Sequence, residues 1–273
     1  SAFSVRPTSC HNLPCTQQPA AGPAHRDKLV AGPQGSGDNA YIYLPPFATI
    51  GVIRGTIPPG KESFSVSGSI PDPSKQFVFQ LKQELMVQNV AFNEQFSKPG
   101  IRSEVASDKI ENLFTHQSPP LDSLAYWFLR KSINLYGESL LKTMGLKTYG
   151  EASTQNGVKA ITEFWKDNGI EPGAIQVMDG SGLSPQNRIT AMALVRSLQY
   201  ARKKEWFPSF FHSLPVYNGM KLKSGSINGS RAFAGYHTSK TGKTYTIAIL
   251  VNNYTGTSAA MVKKMFLLLD QLK

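Results

Sequence analysis

Lys223-Ser224-Gly225 opens a run that alternates like β-strand, and Ser132-Ile133-Asn134 stands where one helical pattern stops and another begins. Both tripeptides bring groups suited to handling a peptide and its protons. A lysine supplies positive potential, a serine hydroxyl both donates and accepts, and an asparagine carboxamide can pair with a backbone amide. A strand glycine lets a ligand's backbone approach closely, and an exposed strand edge can take an extended peptide as an added strand. In such a site Lys223 keeps the potential positive, Ser224 and Gly225 face a substrate carboxylate and backbone, and the N–H of Ser226 is one oxyanion donor. A Lys and a Ser one residue apart on a strand point to opposite faces, so they act together only at an edge or a twist beside a cleft. Alone, each tripeptide is weak: Lys-Ser-Gly is common by chance, and Ser or Asn at a helix junction usually caps backbone groups.

The elements around these residues are legible from periodicity. Up to about Gly60 the chain is rich in Pro, Gly, Ser and Gln, with strand-like runs at Tyr41 to Leu44 and Thr49 to Ile53. Asp72-Pro73 predicts a helix start, with Val78, Leu81 and Leu85 as its apolar stripe. A second helix is expected from Ser118-Pro119 to Lys131, buried along Leu121, Leu124 and Phe128. A third resumes at Leu135-Tyr136 and stops near Gly145. A fourth carries Val158, Ile161 and Trp165 and closes at Asn168-Gly169. A short strand over Ala174 to Met178 precedes a tight loop at Asp179-Gly180-Ser181-Gly182-Leu183, and Ser184-Pro185 is read as the cap of a long helix with Ile189, Met192 and Val195. Strands are predicted over Gly219 to Ser226, Ser230 to His237 and Lys243 to Asn252, and a last helix over Ser258 to Leu272 with Met261, Met265 and Leu268 on one face. Three consecutive strands closed by a helix point to an α+β meander packed against helices.

Composition narrows the function classes. The 273 residues carry 29 Lys+Arg against 18 Asp+Glu, a formal charge of +11 that favours acidic partners. The basic residues are scattered and lack an aromatic-basic motif, so no nucleic acid is expected as a partner. No apolar run reaches the roughly 18 residues of a transmembrane segment, and Ser1 to Ser4 lack the regions of a signal peptide, so the start reads as processed or internal. Cys10 and Cys15 are the two cysteines, and such a close pair, in an extracytoplasmic protein, more often forms a local disulfide than anything catalytic. With His11 they make too few ligands for a metal, and His25, His116, His212 and His237 are too scattered to supply more, so neither metal nor cofactor is expected.

Ordered blocks carry a resemblance to a known family. The stretch from Ser118-Pro119-Pro120-Leu121 through Lys131-Ser132-Ile133-Asn134-Leu135-Tyr136-Gly137-Glu138 to Met144-Gly145 strongly resembles the Ser-x-Asn region of the penicillin-binding protein 4 type D-alanyl-D-alanine carboxypeptidases. So do Asp179 to Ser184 followed by Asn187-Arg188, and Lys221 to Tyr236, where Lys223-Ser224-Gly225-Ser226 takes the place of the family's Lys-Thr-Gly. The first hundred residues match only loosely. The resemblance implies an α+β, penicillin-binding/β-lactamase-like domain, an antiparallel sheet with flanking helices. Residues 102–273 are read as its C-terminal part, and residues 1–101 as a β-rich part of an inserted accessory domain with one helix.

It also implies roles. Ser132 would relay a proton toward the leaving amine, Asn134 would bond the substrate's backbone amide, Lys223 would support proton transfer, and Ser224 would hold the terminal carboxylate where the family has threonine. The expected partners are a peptidoglycan stem peptide ending in D-Ala-D-Ala and β-lactam antibiotics, and the expected location is periplasmic or otherwise extracytoplasmic. The family's Ser-x-x-Lys nucleophile motif does not occur ahead of Ser132. Its serine is therefore expected on a missing or separate N-terminal segment, and the chain alone is expected to be inactive. The alternative is a non-catalytic peptidoglycan-binding or scaffolding protein of the same fold. Two look-alikes are set aside: Lys240-Thr241-Gly242 is read as a hairpin turn, and Ser139-Leu140-Leu141-Lys142 as an ordinary helix face.

Overall fold

A computed structural model describes residues 2–5, 24–33, 39–57, 64–68, 70–92, 114–227 and 229–273. These fall into two units, Ser1–Leu113 and Phe114–Lys273. The expected boundary near residue 101, together with Cys10, His11 and Cys15, lies outside the described residues.

In the first unit β1 (Ala2–Val5) pairs antiparallel with β5 (Phe64–Ser67). A second sheet has β4 (Ile50–Ile57) between β2 (Ala24–Ala31), to which it is parallel, and β3 (Asn39–Tyr43), to which it is antiparallel. The alternation in β4 puts Ile53 and Ile57 inside, Ile57 in a small cluster with Ala40 of β3. Helix α1 (Pro73–Val87) starts as its sequence requires: Asp72 accepts from Lys75 N at 2.9 Å, and Pro73 occupies the first turn, where its missing N–H costs nothing. Its stripe is only half realised, because Val78 and Leu85 are half-buried while Leu81 is exposed.

The second unit is built around the predicted meander. Strands β8 (Val216–Tyr217), β9 (Met220–Ile227), β10 (Ser230–Thr238) and β11 (Thr244–Asn252) form one antiparallel sheet in the order β11-β10-β9-β8. Helix α7 (Ser258–Asp270) covers one face, where Met265 and Leu269 pack with Met220, Leu222, Phe233 and Ile247. The apolar face of α7 is therefore Met261, Met265 and Leu269. Leu268, expected inside, is 64% exposed, because a 3.6-residue period starting from Met261 and Met265 reaches position 269. Against the other face lies α5 (Ala191–Arg202), to which Tyr236 is tied by donating to Leu198 O at 2.6 Å; Phe207 of α6 (Phe207–Ser213) meets the same ring edge-on.

The remaining helices are α2 (Leu121–Lys131), α3 (Asn134–Tyr149) and α4 (Thr154–Asp167). Helix α2 begins at Leu121, not at Ser118-Pro119, and Leu121 is exposed; Pro120 holds an extended φ/ψ before it. Helix α3 does not stop near Gly145 but runs four residues further. Gly145 serves packing: a Cβ there would lie 2.7 Å from Gly157 N, and a Cβ on Gly157 would lie 2.2 Å from Leu141 O, so α3 and α4 touch backbone to backbone. The short strand β6 (Ile175–Gln176) pairs with β7 (Arg188–Ile189). That pairing uses the stretch expected to start a helix at Ser184-Pro185; Thr190 is the N-cap instead, accepting from Ala193 N.

Candidate active site

Ser132 is the hinge between α2 and α3. It takes a left-handed conformation (φ 53°, ψ 50°), and Ile133 after it is extended (φ −76°, ψ 102°), so the chain breaks sharply and α3 restarts at Asn134. A left-handed non-glycine residue costs roughly 1–2 kcal/mol, a strain that collects at functional positions. The break leaves the side chains of Ser132 and Asn134 exposed.

The sheet brings Lys223 to this hinge. Its Nζ donates to Ser132 Oγ at 3.0 Å and to Ser224 O at 3.2 Å, joining residues 91 apart in sequence. Burial without a carboxylate partner among the described residues holds the Lys223 amine below the usual lysine range. Lys221, two residues earlier on the same face, is used differently. It caps the end of α6 through His212 O (3.4 Å) and Leu214 O (3.2 Å), and Arg130 of α2 reaches the same His212 O at 3.0 Å. Lys221 is spent on the fold, whereas Lys223 meets the hydroxyl of Ser132.

The edge of β9 is open at Lys223-Ser224-Gly225-Ser226. Pairing with β8 ends at Val216↔Lys221, after which Leu222 N donates to Pro215 O at 3.0 Å. Backbone groups alternate sides along a strand, so the N–H groups of Ser224 and Ser226 face that same edge beyond the end of β8. Gly225 and Ser226 are exposed, and opposite Gly225 and Lys223 across the sheet stand the small residues Ala232 and Ala234. The Ser224 side chain turns to the other face, and its Oγ donates to Tyr217 Oη at 3.1 Å.

A loop behind the hinge fixes α3. The carboxylate of Asp179 accepts from Ser181 Oγ (3.0 Å), Ser184 N (2.8 Å), Gly182 N and Asn187 Nδ2. Burial pushes this carboxyl up, but the four donors together hold it below the ordinary range. Ser181 N in turn donates to Glu138 Oε1 at 2.9 Å, and a Cβ on Gly137 would fall 2.1 Å from Gly180 O. The loop thus packs on the first turn of α3, the turn that carries Asn134.

Beside Lys223 is a cavity of about 460 Å³, walled by apolar side chains of α2, α4, α5 and α6 such as Leu129, Trp165, Leu198 and Phe210, with Lys223, Ser224, Gly225, Ala232 and Ala234 on its sheet side. The look-alike motifs lie apart from it. Lys240-Thr241-Gly242 forms the β10–β11 turn, with Ser239 N donating to Lys243 O at 2.9 Å, and Ser139 and Lys142 are exposed on α3 without a hydrogen bond to Ser132 or Lys223. Among the described residues no three His, Cys, Asp or Glu converge as metal ligands, and no helix is long and apolar enough to cross a membrane. Strand β8 and Tyr217 went unpredicted, although Asn218-Gly219 between Val216-Tyr217 and Met220 is a hairpin signal; both turn residues have positive φ (51° and 74°).

A sheet with α7 on one face and helices on the other, and a Lys–Ser pair joining a strand edge to a helix break, define the penicillin-binding class of fold. Two structures of penicillin binding protein 4 from Haemophilus influenzae, one complexed with a β-lactam, superpose with TM-scores of 0.74 and 0.75, covering 99% of this chain and 68% and 66% of theirs at 19% and 18% identity. Residues 48–272 match the model of the D-Ala-D-Ala carboxypeptidase 3 (S13) family, and the chain belongs to that family. It is 23% identical over 266 residues to the D-alanyl-D-alanine carboxypeptidase of Actinomadura sp. (strain R39), covering 89% of this chain and 49% of that protein. It is 28% identical over 162 residues to D-alanyl-D-alanine carboxypeptidase DacB of Haemophilus influenzae, covering 52% and 34%. The chain spans about half or less of the length of these relatives.

Proposed function

We propose that this chain forms the substrate-aligning part of a serine-type D-Ala-D-Ala carboxypeptidase or endopeptidase that acts on peptidoglycan stem peptides outside the cytoplasm and is acylated by β-lactams. The observation that carries the reading is the 3.0 Å contact of Lys223 Nζ with Ser132 Oγ at the end of an open strand edge. An extended peptide added along β9 places its carbonyl oxygen at the N–H of Ser226 and its terminal carboxylate near Ser224, while Asn134 holds a backbone amide of the peptide. The nucleophilic serine, carried with its lysine on a segment outside these 273 residues, attacks the carbonyl between the two D-alanines. An ester forms, the C–N bond breaks, and the leaving D-alanine takes its proton through Ser132, with Lys223 sustaining the transfer; water then releases the acyl group. The apolar cavity beside Lys223 suits a helix with one apolar face, and we assign it as the seat of that segment.

Intact-mass analysis after incubation with a penicillin tests the reading. Covalent capture on a companion segment that co-purifies with, or is added to, this chain is expected. Without capture in the reconstituted protein, the chain is a wall-binding or scaffolding protein of the same fold. An adduct on this chain itself would assign the nucleophile to one of its own serines and overturn the placement.

A further inference from the structure

A serine hydroxyl has three staggered rotamers and a single proton, so carboxylate recognition at Ser224 requires something to select the rotamer and turn the proton outward. Tyr217 is placed to do both. Its phenol oxygen lies 3.1 Å from Ser224 Oγ, the one hydrogen bond of that phenol among the described residues. Two hydroxyls at this distance can exchange the roles of donor and acceptor by rotating their protons.

The phenol is itself held in place. The Tyr217 ring packs on Phe233, with centroids 5.5 Å apart and planes at 63°. The two-residue turn after it is tied to the end of α7 and the C-terminal residue beyond it: Asn218 Nδ2 donates to Asp270 Oδ1 at 2.8 Å, and Asn218 Oδ1 accepts from Lys273 Nζ at 3.2 Å. Tyr217 therefore reaches Ser224 from a fixed hairpin beside the open edge of β9.

We propose that Tyr217 is a positioning residue for carboxylate recognition. In the unliganded site Ser224 donates to Tyr217. When a ligand ending in a free carboxylate arrives, the Tyr217 O–H turns to donate to Ser224 Oγ, and the serine proton is released toward the carboxylate. No group changes its protonation state, and the two bonds polarise one another in series. The inference rests on the proposed role of Ser224 as the carboxylate's partner.

The test uses the acylation-competent protein, including its nucleophile segment, with benzylpenicillin and with its methyl ester, which lacks the carboxylate. Tyr217→Phe keeps the ring and its packing on Phe233. It is expected to lower the second-order acylation rate with benzylpenicillin about tenfold, the effect of one lost hydrogen bond, through weaker binding at an unchanged limiting rate, and to leave the rate with the ester unaltered. In the Tyr217→Phe background, Ser224→Thr is expected to restore the rate to within about threefold, since a β-branched side chain selects its own rotamer. An unchanged rate in Tyr217→Phe, an equal loss with acid and ester, or no rescue by threonine overturns the proposal. Ser224→Ala separates the two readings: if it alone depresses acylation by the acid, only the role of Tyr217 fails, and if it has no effect, the placement of the carboxylate fails with it.

Discussion

At the scale of single residues, the proposed chemistry rests on a lysine that burial has made easier to deprotonate and a serine held in a costly conformation. Lys223→Ala is expected to cut β-lactam acylation by roughly a hundredfold or more, the range lost with a proton-transfer group, whereas Lys240→Ala leaves it unchanged; acylation rates of the two variants check this, and the reverse pattern would move the motif to the β10–β11 turn. Because burial lowers the Lys223 amine, its positive charge is lost at a lower pH than that of a free lysine. Acylation is therefore expected to fall on the alkaline side below about pH 10.4, and Lys223→Arg to move that fall upward in the pH–rate profile. The sign for stability is the opposite of a salt bridge's. The folded pKa is depressed, so the cost of burying the charge is present below it and is relieved as pH rises toward the unfolded value. Ser132→Gly relieves the left-handed strain while removing the hydroxyl. Denaturant titration is expected to find that variant as stable as the wild type or up to about 1 kcal/mol more so, with acylation largely lost. The residue types were legible before the fold: Ser132, Asn134 and Lys223 stand out by type and by the order of the blocks that resemble the family. The orientation of Ser224 toward Tyr217 was not, because a strand motif does not state which neighbour waits on its far face.

At the scale of elements, glycines decide how closely the parts approach. Gly145 was read as a helix stop because glycine often ends helices, yet it lies inside α3 facing Gly157, where any side chain would collide with backbone. Nothing local distinguishes a capping glycine from a packing one; only the partner helix does. The same holds for Gly137 against Gly180. Gly137→Ala is expected to push the Asp179 loop off α3, costing about 1–3 kcal/mol as overpacking does, and to lower acylation because Asn134 moves with that turn; thermal unfolding and acylation measured together check both. Asp179 adds a pH signature. Its depressed carboxyl contributes stability above the unfolded value near 3.9 that is lost as pH falls through the folded pKa, so Asp179→Asn should flatten the acid limb of the stability curve. Ser184-Pro185 opens only a single turn, in which Ser184 Oγ accepts from Gln186 N at 3.2 Å and Asn187 N donates to Ser184 O at 3.1 Å, before the chain enters β7. Pairing of Arg188 and Ile189 with β6 there outweighed a local capping signal.

For the whole molecule, the proposal is that the unit Phe114–Lys273 aligns a substrate and the nucleophile arrives on another segment. Adding that segment is expected to confer β-lactam capture and to raise the thermal midpoint of the unit, since filling an apolar cavity of about 460 Å³ removes apolar surface from water; calorimetry with and without the segment measures it. Sequence by itself determined the residue types of the site, their order along the chain, the three long strands and the closing helix, because alternation, capping and motif spacing are local properties. Only the tertiary structure decided that Lys223 and Ser132 meet, that Lys221 caps α6 and is withheld from the site, that the edge of β9 stays open, and that an apolar cavity adjoins it. Those facts depend on which surfaces of distant elements come together, and a local pattern records which face is apolar without recording what that face will meet.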